Sequence, residues 1–528
     1  MQRTILVGID GASFTALDPL IAEGHLPNLA RFIASGVRAE LLSTRHPLTP
    51  PAWTTLMTGR SPGNHGIYDF LKAELRKGGA FFTLNDFRDI RAETIWSIVS
   101  RQGGRVTSLN FPLMAPPPAV NGHIVPGLLS WRHLRRNVYP SELFDRIKAL
   151  PGFDAKQISW DFEHERKGTQ VLPDEELEDW TAFHIAREQQ WYKVLEYLMD
   201  EEPADLTAVM FDGVDKLQHS CWRLLDPEYI PARPTAFERR IRQLCIDYFR
   251  QLDEIFGQIV DRGGPEARVF VASDHGFGPM ETVLRINKWL EQRGYLRWSD
   301  ASQAGGTGLG NKHYVLLDWE HTRAFAQSGA TNGIHIVLED DDHPGGVPRS
   351  EYAAFREQLR RELLSIRDGE SNRPIVTEVL DREEVYPGAE MAYAPDLTLV
   401  LHDHGFFSVL DAEPIVAPRP AIAGTHYPEG IFLAAGPGIR RGAELPQQSI
   451  LDVPATLLYS LGLPIPSDFE SRVIEDALEP ALLGERPVEV GAPTVPPVRS
   501  AAAATASEDD ADSEAKILNR LRALGYVE

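Results

Sequence analysis

The sequence predicts an α/β fold whose sheet is covered on both faces, and three observations carry that prediction. Short apolar runs rich in β-branched residues recur along the chain, they stay apolar at nearly every position, and helix-length stretches separate them. A strand with one wet face alternates polar and apolar side chains, so continuous apolar runs belong to strands sandwiched between helices.

The first run is Thr4 to Ile9, which closes on Asp10. Pro27 then opens LPNLARFIASG, where a missing N–H costs nothing at the first helical position, and Gly36 ends it. RVTSLNF from Arg105, LTAVMFDG from Leu206 and ARVFVASDHG from Ala267 repeat the strand pattern, with FERRIRQLCIDYFRQLDEIFGQIV as an intervening helix. Between Met280 and Asp411 the pattern becomes mixed: a polar Gly-rich stretch, SQAGGTGLGNKH, then helical EYAAFREQLRRELLSI, then strand-like PDLTLVL. We expect residues 281–410 to form a lobe inserted into a core built from 1–280 and 411–483. Core-like sequence resumes at GIFLAAGPGI from Gly430, and Asp452 is expected to cap the helix in DVPATLLYSLG.

Residues 484–512 are rich in Pro, Ala, Ser and acids, with too few large apolar groups to offset the entropy of ordering, and are expected to be a disordered linker. In 513–528, Ile517, Leu518, Leu521 and Leu524 share one helical stripe, which predicts an amphipathic helix that docks on its own domain or on a partner.

Bulk properties narrow the function. With 528 residues and 43% hydrophobic composition the chain can bury a large core, which excludes a disordered or fibrous protein. Cys221 and Cys245 are the only cysteines, so neither a disulfide framework nor a thiolate metal cluster can be built, and a reducing compartment is the simpler reading. The N-terminal apolar run is too short for a signal peptide or a membrane span, so the cytoplasm is expected and no membrane partner. A net charge of −23 opposes binding to nucleic-acid duplexes and anionic membranes. Small phosphorylated substrates remain open, because bound divalent ions reverse the sign locally.

Four motifs place acids or histidines at or near strand ends, where open α/β sheets assemble their ligand sites. They are Asp10 in ILVGIDG, Asp215 with His219 in FDGVDKLQH, Asp274 with His275 in VASDHG, and His426 in AGTHYPEG. Singly each has a bland reading: Asp10 as a turn former, the four-residue spacing as a common helical pair, His426 as a hydrogen-bonded loop residue. Together they supply three carboxylates and three imidazoles, a set matched to zinc first and manganese second. Thr49 stands before two prolines that can start a helix toward Gly59, so its hydroxyl is expected at a helix N-terminus, a favourable place for phosphate. Alone it would read as an N-cap.

With the blocks IDGASF, TPPAWTTLMTGRSPGNHGIYDF, DGVDKLQH, SDHGFG, INKWLEQRGYL, YAPDLTLV, GTHYPEGIFLAAGPGI and DVPATLLYSLGLPIP, spread over most of residues 1–475, the chain resembles the alkaline phosphatase superfamily. Within it, the resemblance is to type I phosphodiesterase/nucleotide pyrophosphatase-like proteins, often described as phosphohydrolases or phosphomutases. It implies a three-layer alkaline-phosphatase-like sandwich with a mixed, mostly parallel central sheet and an inserted cap lobe. It also implies two divalent ions, one on Asp10, Asp274, His275 and the Thr49 oxygen, the other on Asp215, His219 and His426. Thr49 would then be the nucleophile of a phosphate-ester hydrolysis that passes through a phosphothreonine.

Sulfatases of this superfamily are excluded, since they need a modified cysteine or serine with an arginine four residues on, and this chain has Thr49 and Trp53. The competing functions are a phosphotransferase or phosphomutase, and a non-catalytic protein that captures a phosphorylated ligand through its metals. Several other residues compete for a role in the site. Asp403, His404 and Gly405 repeat the DHG triplet, Arg45, His46, Arg60 and His65 flank the nucleophile segment, and His335, Asp340 and His343 sit in the inserted lobe.

Overall fold

The computed structural model describes residues 1–76, 79–159, 174–299 and 317–495. The strands and helices that build the site are, in chain order, β1 (Thr4–Ile9), α1 (Phe14–Ala22), α2 (Pro27–Ser35), β2 (Val37–Leu42), α3 (Thr49–Thr58), β3 (Val106–Leu109), β4 (Gly122–Val125), α4 (Asp174–Glu201), β5 (Leu206–Phe211), α5 (Gly213–Leu225), α6 (Ala236–Gly263), β6 (Arg268–Ala272) and β7 (Gly276–Leu284). After them come β8 (Ala324–Ala326), β9 (Gly333–Ile336), α7 (Tyr352–Leu363), β10 (Val376–Asp381), β11 (Leu397–Leu401), β12 (Val416–Tyr427), β13 (Glu429–Ala435) and α8 (Val453–Leu461).

Among the described residues the central sheet has nine strands, with β2, β13, β6, β1, β5, β3 and β4 as successive neighbours. β1 runs parallel to β5 and β6, and β3 parallel to β4 and β5, whereas β13 is antiparallel to β2 and β6. The sheet is thus mixed and mostly parallel. Its strands are buried on both faces for the reason their sequences imply. Ile5, Val7 and Ile9 point into one apolar cluster with α2, α4, α5 and α6, while Leu6 points into another with α3 and α8. Those clusters, on opposite faces of the sheet, make the three layers.

A third cluster is built mostly from the 281–410 segment, joined by Leu48, Phe70 and Leu71, around a four-stranded antiparallel sheet in the order β8, β9, β11, β10, with Phe355, Leu359 and Leu363 of α7 packed against it. The antiparallel ribbon of β7 and β12 leads from the main sheet toward this cluster, pairing Phe277 with His426 near one end and Leu284 with Val416 at the other.

Two expectations need correcting. Residues 484–495 are not a free linker: Val490 pairs with Ile465, Thr494 donates from its amide (2.8 Å) and hydroxyl (2.6 Å) to Asp468, and the Val495 amide donates to Glu93 (2.8 Å). Acceptors on the core satisfy this backbone, which composition alone does not reveal. Asp452 precedes α8, but its carboxylate accepts from the Arg472 amide (2.9 Å) and caps nothing; Pro454 removes one of the donors it would have served. The Gly-rich 302–313 stretch, the rest of the linker from 496, and the terminal helix all lie outside the described residues. Among the described residues no helix is long and apolar enough to cross a membrane.

Candidate active site

Three parallel strands deliver the acids at their carboxyl ends. Asp10 follows β1, Asp274 and His275 follow β6, and Asp215 lies in the first turn of α5, just past β5. Four residues on, His219 comes round to the same face and its Nε2 stands 3.4 Å from Asp215 Oδ1. His426 also stands near a strand end, as its motif implies. It sits on β12, where pairing with β7 fixes it, and not in a loop. Its Nε2 lies 3.1 Å from both Asp215 Oδ1 and His219 Nε2. On the other side, His275 Nε2 is 3.2 Å from Asp274 Oδ2 and 3.6 Å from Asp10 Oδ1.

Thr49 opens α3, which is buried on all sides, and Trp53 one turn later lies against β1. That packing needs Gly8, since a Cβ there would come within 2.7 Å of the Trp53 ring. Thr49 Oγ1 is thereby held 3.4 Å from His275 Nε2. The helix N-terminus is poorer in donors than its sequence position promised. Pro50 and Pro51 have no N–H, and the Ala52 amide is already bonded to Leu48, so the Thr49 amide is the one first-turn donor left for an anion.

Two ligand groups result, Asp10/Asp274/His275 and Asp215/His219/His426, each with one donor atom per residue inside a 4.8 Å span. Their chemistry fits divalent cations. Each of the three imidazoles pairs its Nδ1 with a backbone carbonyl: His219 with Gly424 (3.1 Å), His275 with Gly276 (3.0 Å) and His426 with Pro47 (3.1 Å). Committing Nδ1–H to the backbone fixes the tautomer and turns the Nε2 lone pair inward, as in metal-binding histidines. His219 and His426 then face each other lone pair to lone pair, and Asp10 Oδ1, Asp215 Oδ1 and Asp274 Oδ2 are buried without a hydrogen-bond donor. A cation in each group relieves that conflict; a protein donor does not.

The electrostatics carry the same strain. Burial, reinforced by the neighbouring carboxylates, pushes Asp10 and Asp274 well above the usual carboxylate range. Burial also acts on Asp215, but His219, His426 and Lys216 outweigh it and hold its carboxyl well below that range. Burial pushes His275 and His426 down, which favours the neutral, ligating form.

The competing residues are accounted for by other contacts. Asp403 accepts from the amides of Glu281, Thr282 and Gly405. Arg45 pairs with Glu378, Arg60 with Asp468 and Glu470, His65 with Thr55, and His46 with the Ala330 carbonyl. Asp340 and His343 bond each other, and His335 stacks on Phe325. Two contributors were missed. Gln218, inside the DKLQH block, donates to the Gly11 carbonyl (2.8 Å) and so ties α5 to the Asp10 turn. Lys216 Nζ lies 3.6 Å from Asp215 Oδ2. Their positions on a helix facing the sheet were the signal that could have found them.

Fold and ligand groups together define the class, the alkaline phosphatase superfamily of metal-dependent phosphoester hydrolases. More narrowly, residues 4–428 match the model of the type I phosphodiesterase/nucleotide pyrophosphatase family, and the chain belongs to that family. Among curated proteins none matches. Among solved structures, the fold is similar to murine ectonucleotide pyrophosphatase/phosphodiesterase 5, seen as an inactive threonine-to-alanine variant in complex with AMP, at 15% identity over 91% of this chain and 100% of that one, with a TM-score of 0.51. It is likewise similar to phosphonoacetate hydrolase from Sinorhizobium meliloti in complex with phosphonoformate, at 17% identity over 87% and 95% of the two chains, with a TM-score of 0.50.

Proposed function

We propose that this chain hydrolyses a small phosphate ester through a phosphothreonine formed on Thr49, with one divalent cation in each ligand group, zinc first and manganese second. The observation that carries this reading is two donor sets joined by the His275–His426 stack, the first 3.4 Å from the buried Thr49 hydroxyl through His275 Nε2, with three buried carboxylate oxygens that no protein donor serves. Cations bound there supply Lewis-acid activation of the hydroxyl and neutralise charge on the phosphoryl oxygens. Thr49 Oγ, its proton passing to solvent water, attacks phosphorus in line, the new O–P bond forming as the bond to the leaving oxygen breaks and that oxygen takes a proton from water. Water then attacks the phosphothreonine, releasing phosphate and restoring the hydroxyl. His275 remains a ligand in this scheme: Gly276 holds its Nδ1 proton, and the Nε2 lone pair that could otherwise take the Thr49 proton would be given to a cation. The ligands named for the two solved relatives, AMP and phosphonoformate, belong to the small phosphorus-oxyanion class proposed here.

A cavity of about 430 Å³ at the carboxyl ends of β3 and β4 is our assignment for the leaving group. Phe70, Leu84, Leu113 and Leu128 line it, with Arg88 and His133 among its polar groups. Phe70 packs in one cluster with Leu48, next to Thr49. Leu113 (φ 57°) and Leu128 (φ 55°) hold left-handed backbone conformations, a cost of about 1–3 kcal/mol each that tends to persist where a binding surface needs it. In this reading residues 281–410 are a cap lobe, tied to the nucleophile segment through Asp69–Ser328 and His46–Ala330. Two free, buried cysteines agree with a reducing compartment such as the cytoplasm.

Turnover of nitrophenyl phosphate and its diester by protein loaded with zinc or manganese tests the proposal, with acid-quenched protein analysed for phosphate on Thr49. Failure on both esters with no phosphorylated Thr49 would end it. Transfer of phosphate to an added alcohol in preference to water would replace hydrolysis by phosphotransfer.

A further inference from the structure

The helix that carries Asp215 and His219 is not capped by its own N-terminal neighbour. Asp212 occupies the cap position, but its carboxylate is turned to Arg187, which donates Nε to Oδ1 (3.2 Å) and Nη2 to Oδ2 (3.0 Å), both side chains being fully buried. The first amide of α5, that of Gly213, donates to Glu188 Oε1 at 2.8 Å, an acceptor on α4. Tyr248 of α6 donates its hydroxyl to the same oxygen (2.9 Å). Only glycine permits this approach: a Cβ at Gly213 would lie 2.5 Å from Tyr248 Oη and 2.7 Å from Glu188 Oε1.

We propose that Glu188 is a positioning residue for the Asp215/His219/His426 group, capping α5 from a neighbouring helix and so setting that group's affinity for its cation. This rests on the two-cation reading above. An unsatisfied first amide frays the first turn, and Asp215 lies in that turn. His219 follows it by one turn on the same face. Asp10, Asp274 and His275 stand at the ends of β1 and β6, which this cap does not hold. Gln218 ties α5 to the Asp10 turn from beyond that first turn, so the effect falls on the Asp215 group and reaches the other only weakly.

Zinc titration of chelator-stripped, full-length protein by calorimetry, with melting curves and metal analysis, tests this. The parent binds two ions. Glu188→Gln keeps the Oε1 acceptor and binds both within about threefold of the parent. Glu188→Leu and Gly213→Ala stay folded and weaken one site by about 10- to 100-fold, the range for loss of a group that orients a ligand, while the other site changes by less than about threefold. Rescue by glutamine together with one-site selectivity is what a general packing role would not produce. Parental affinity at both sites in Glu188→Leu, or equal weakening of both, overturns the inference and leaves the two-cation reading standing. If Glu188→Leu does not fold, Gly213→Ala decides by the same criterion. If neither folds, Glu188 serves the fold and the inference is overturned. A parent that binds fewer than two ions overturns the two-cation reading itself and the inference with it.

Discussion

His275 and His426 stack face to face, 3.6 Å between ring centroids and 19° from parallel, although they belong to different ligand groups. Two neutral rings can lie so close, and two imidazolium ions cannot without strong repulsion. Both are pushed below the usual histidine range by burial, so both rings stay neutral with Nε2 lone pairs open to a cation, and the groups share one crevice.

The stack leads to a prediction about metal removal. Chelator-stripped protein should melt at a lower temperature than protein with zinc, and each site held at about 100 times its dissociation constant should add about 2.7 kcal/mol. His426→Ala removes one donor from one group, so metal analysis should fall from two ions toward one. Unchanged melting on chelation, with no metal in the native preparation, would contradict the assignment.

Thr49→Ala deletes the proposed nucleophile and its 3.4 Å contact with His275 but leaves all six carboxylate and imidazole side chains in place. Turnover should fall by a factor on the order of 10³ or more, while zinc content and substrate affinity stay close to parental values. Steady-state rates and metal analysis on the same preparation check it. Equal rates in parent and variant would favour a ligand-capturing protein over an enzyme.

The assigned cavity makes a separate prediction. Leu128→Trp should fill it, raising KM for esters with bulky leaving groups by about tenfold, while nitrophenyl phosphate turnover at saturation changes little. Leu128 holds a left-handed backbone, a cost that leucine already carries and that tryptophan, equally without the local hydrogen bond that helps asparagine, carries too, so the comparison reads the filled volume. A uniform fall with every ester would move the leaving group elsewhere.

Much of the site was legible because its ligands follow local rules. Asp10, Asp274 and His275 stand where an apolar run ends, and Asp215 and His219 are four apart on a helix, patterns that need no tertiary information. His426 was legible as a residue but not as a strand residue. The PRPAIAG segment before it reads as loop, and only the long-range pairing of β12 with β7 makes it extended. Arg187 and Glu188 gave no signal, since charged residues in a long helix read as its wet face, yet both are fully buried. Residues 484–495 misled in the opposite sense, because their order comes largely from bonds to Asp468 and Glu93, with Val488 as an apolar side chain packed on the core.

Asp69 offers a test of pH dependence away from the ligand groups. It is buried where the nucleophile segment meets the 281–410 segment, accepting from Ser328 Oγ (2.6 Å) and its neighbour Phe70's amide (2.6 Å). Burial raises its carboxyl from 3.8 to about 6, and those two donors, with the Leu71 amide, only partly offset the rise. With the folded value above the unfolded one, the native state holds the proton more tightly. The associated stability is fully present below about pH 4 and is lost as pH climbs through about 6. Two units at about 1.4 kcal/mol each give a loss on the order of 3 kcal/mol by pH 7. Asp69→Asn keeps the oxygen that accepts from the Phe70 amide, sets an NH2 toward the Ser328 hydroxyl in place of the other oxygen, and abolishes the titration. Urea denaturation should therefore show the variant gaining about that amount relative to the parent between about pH 4 and pH 7. Parallel stability curves for the two proteins would mean that Asp69 ionises freely in the folded state, with water reaching the junction that these contacts close.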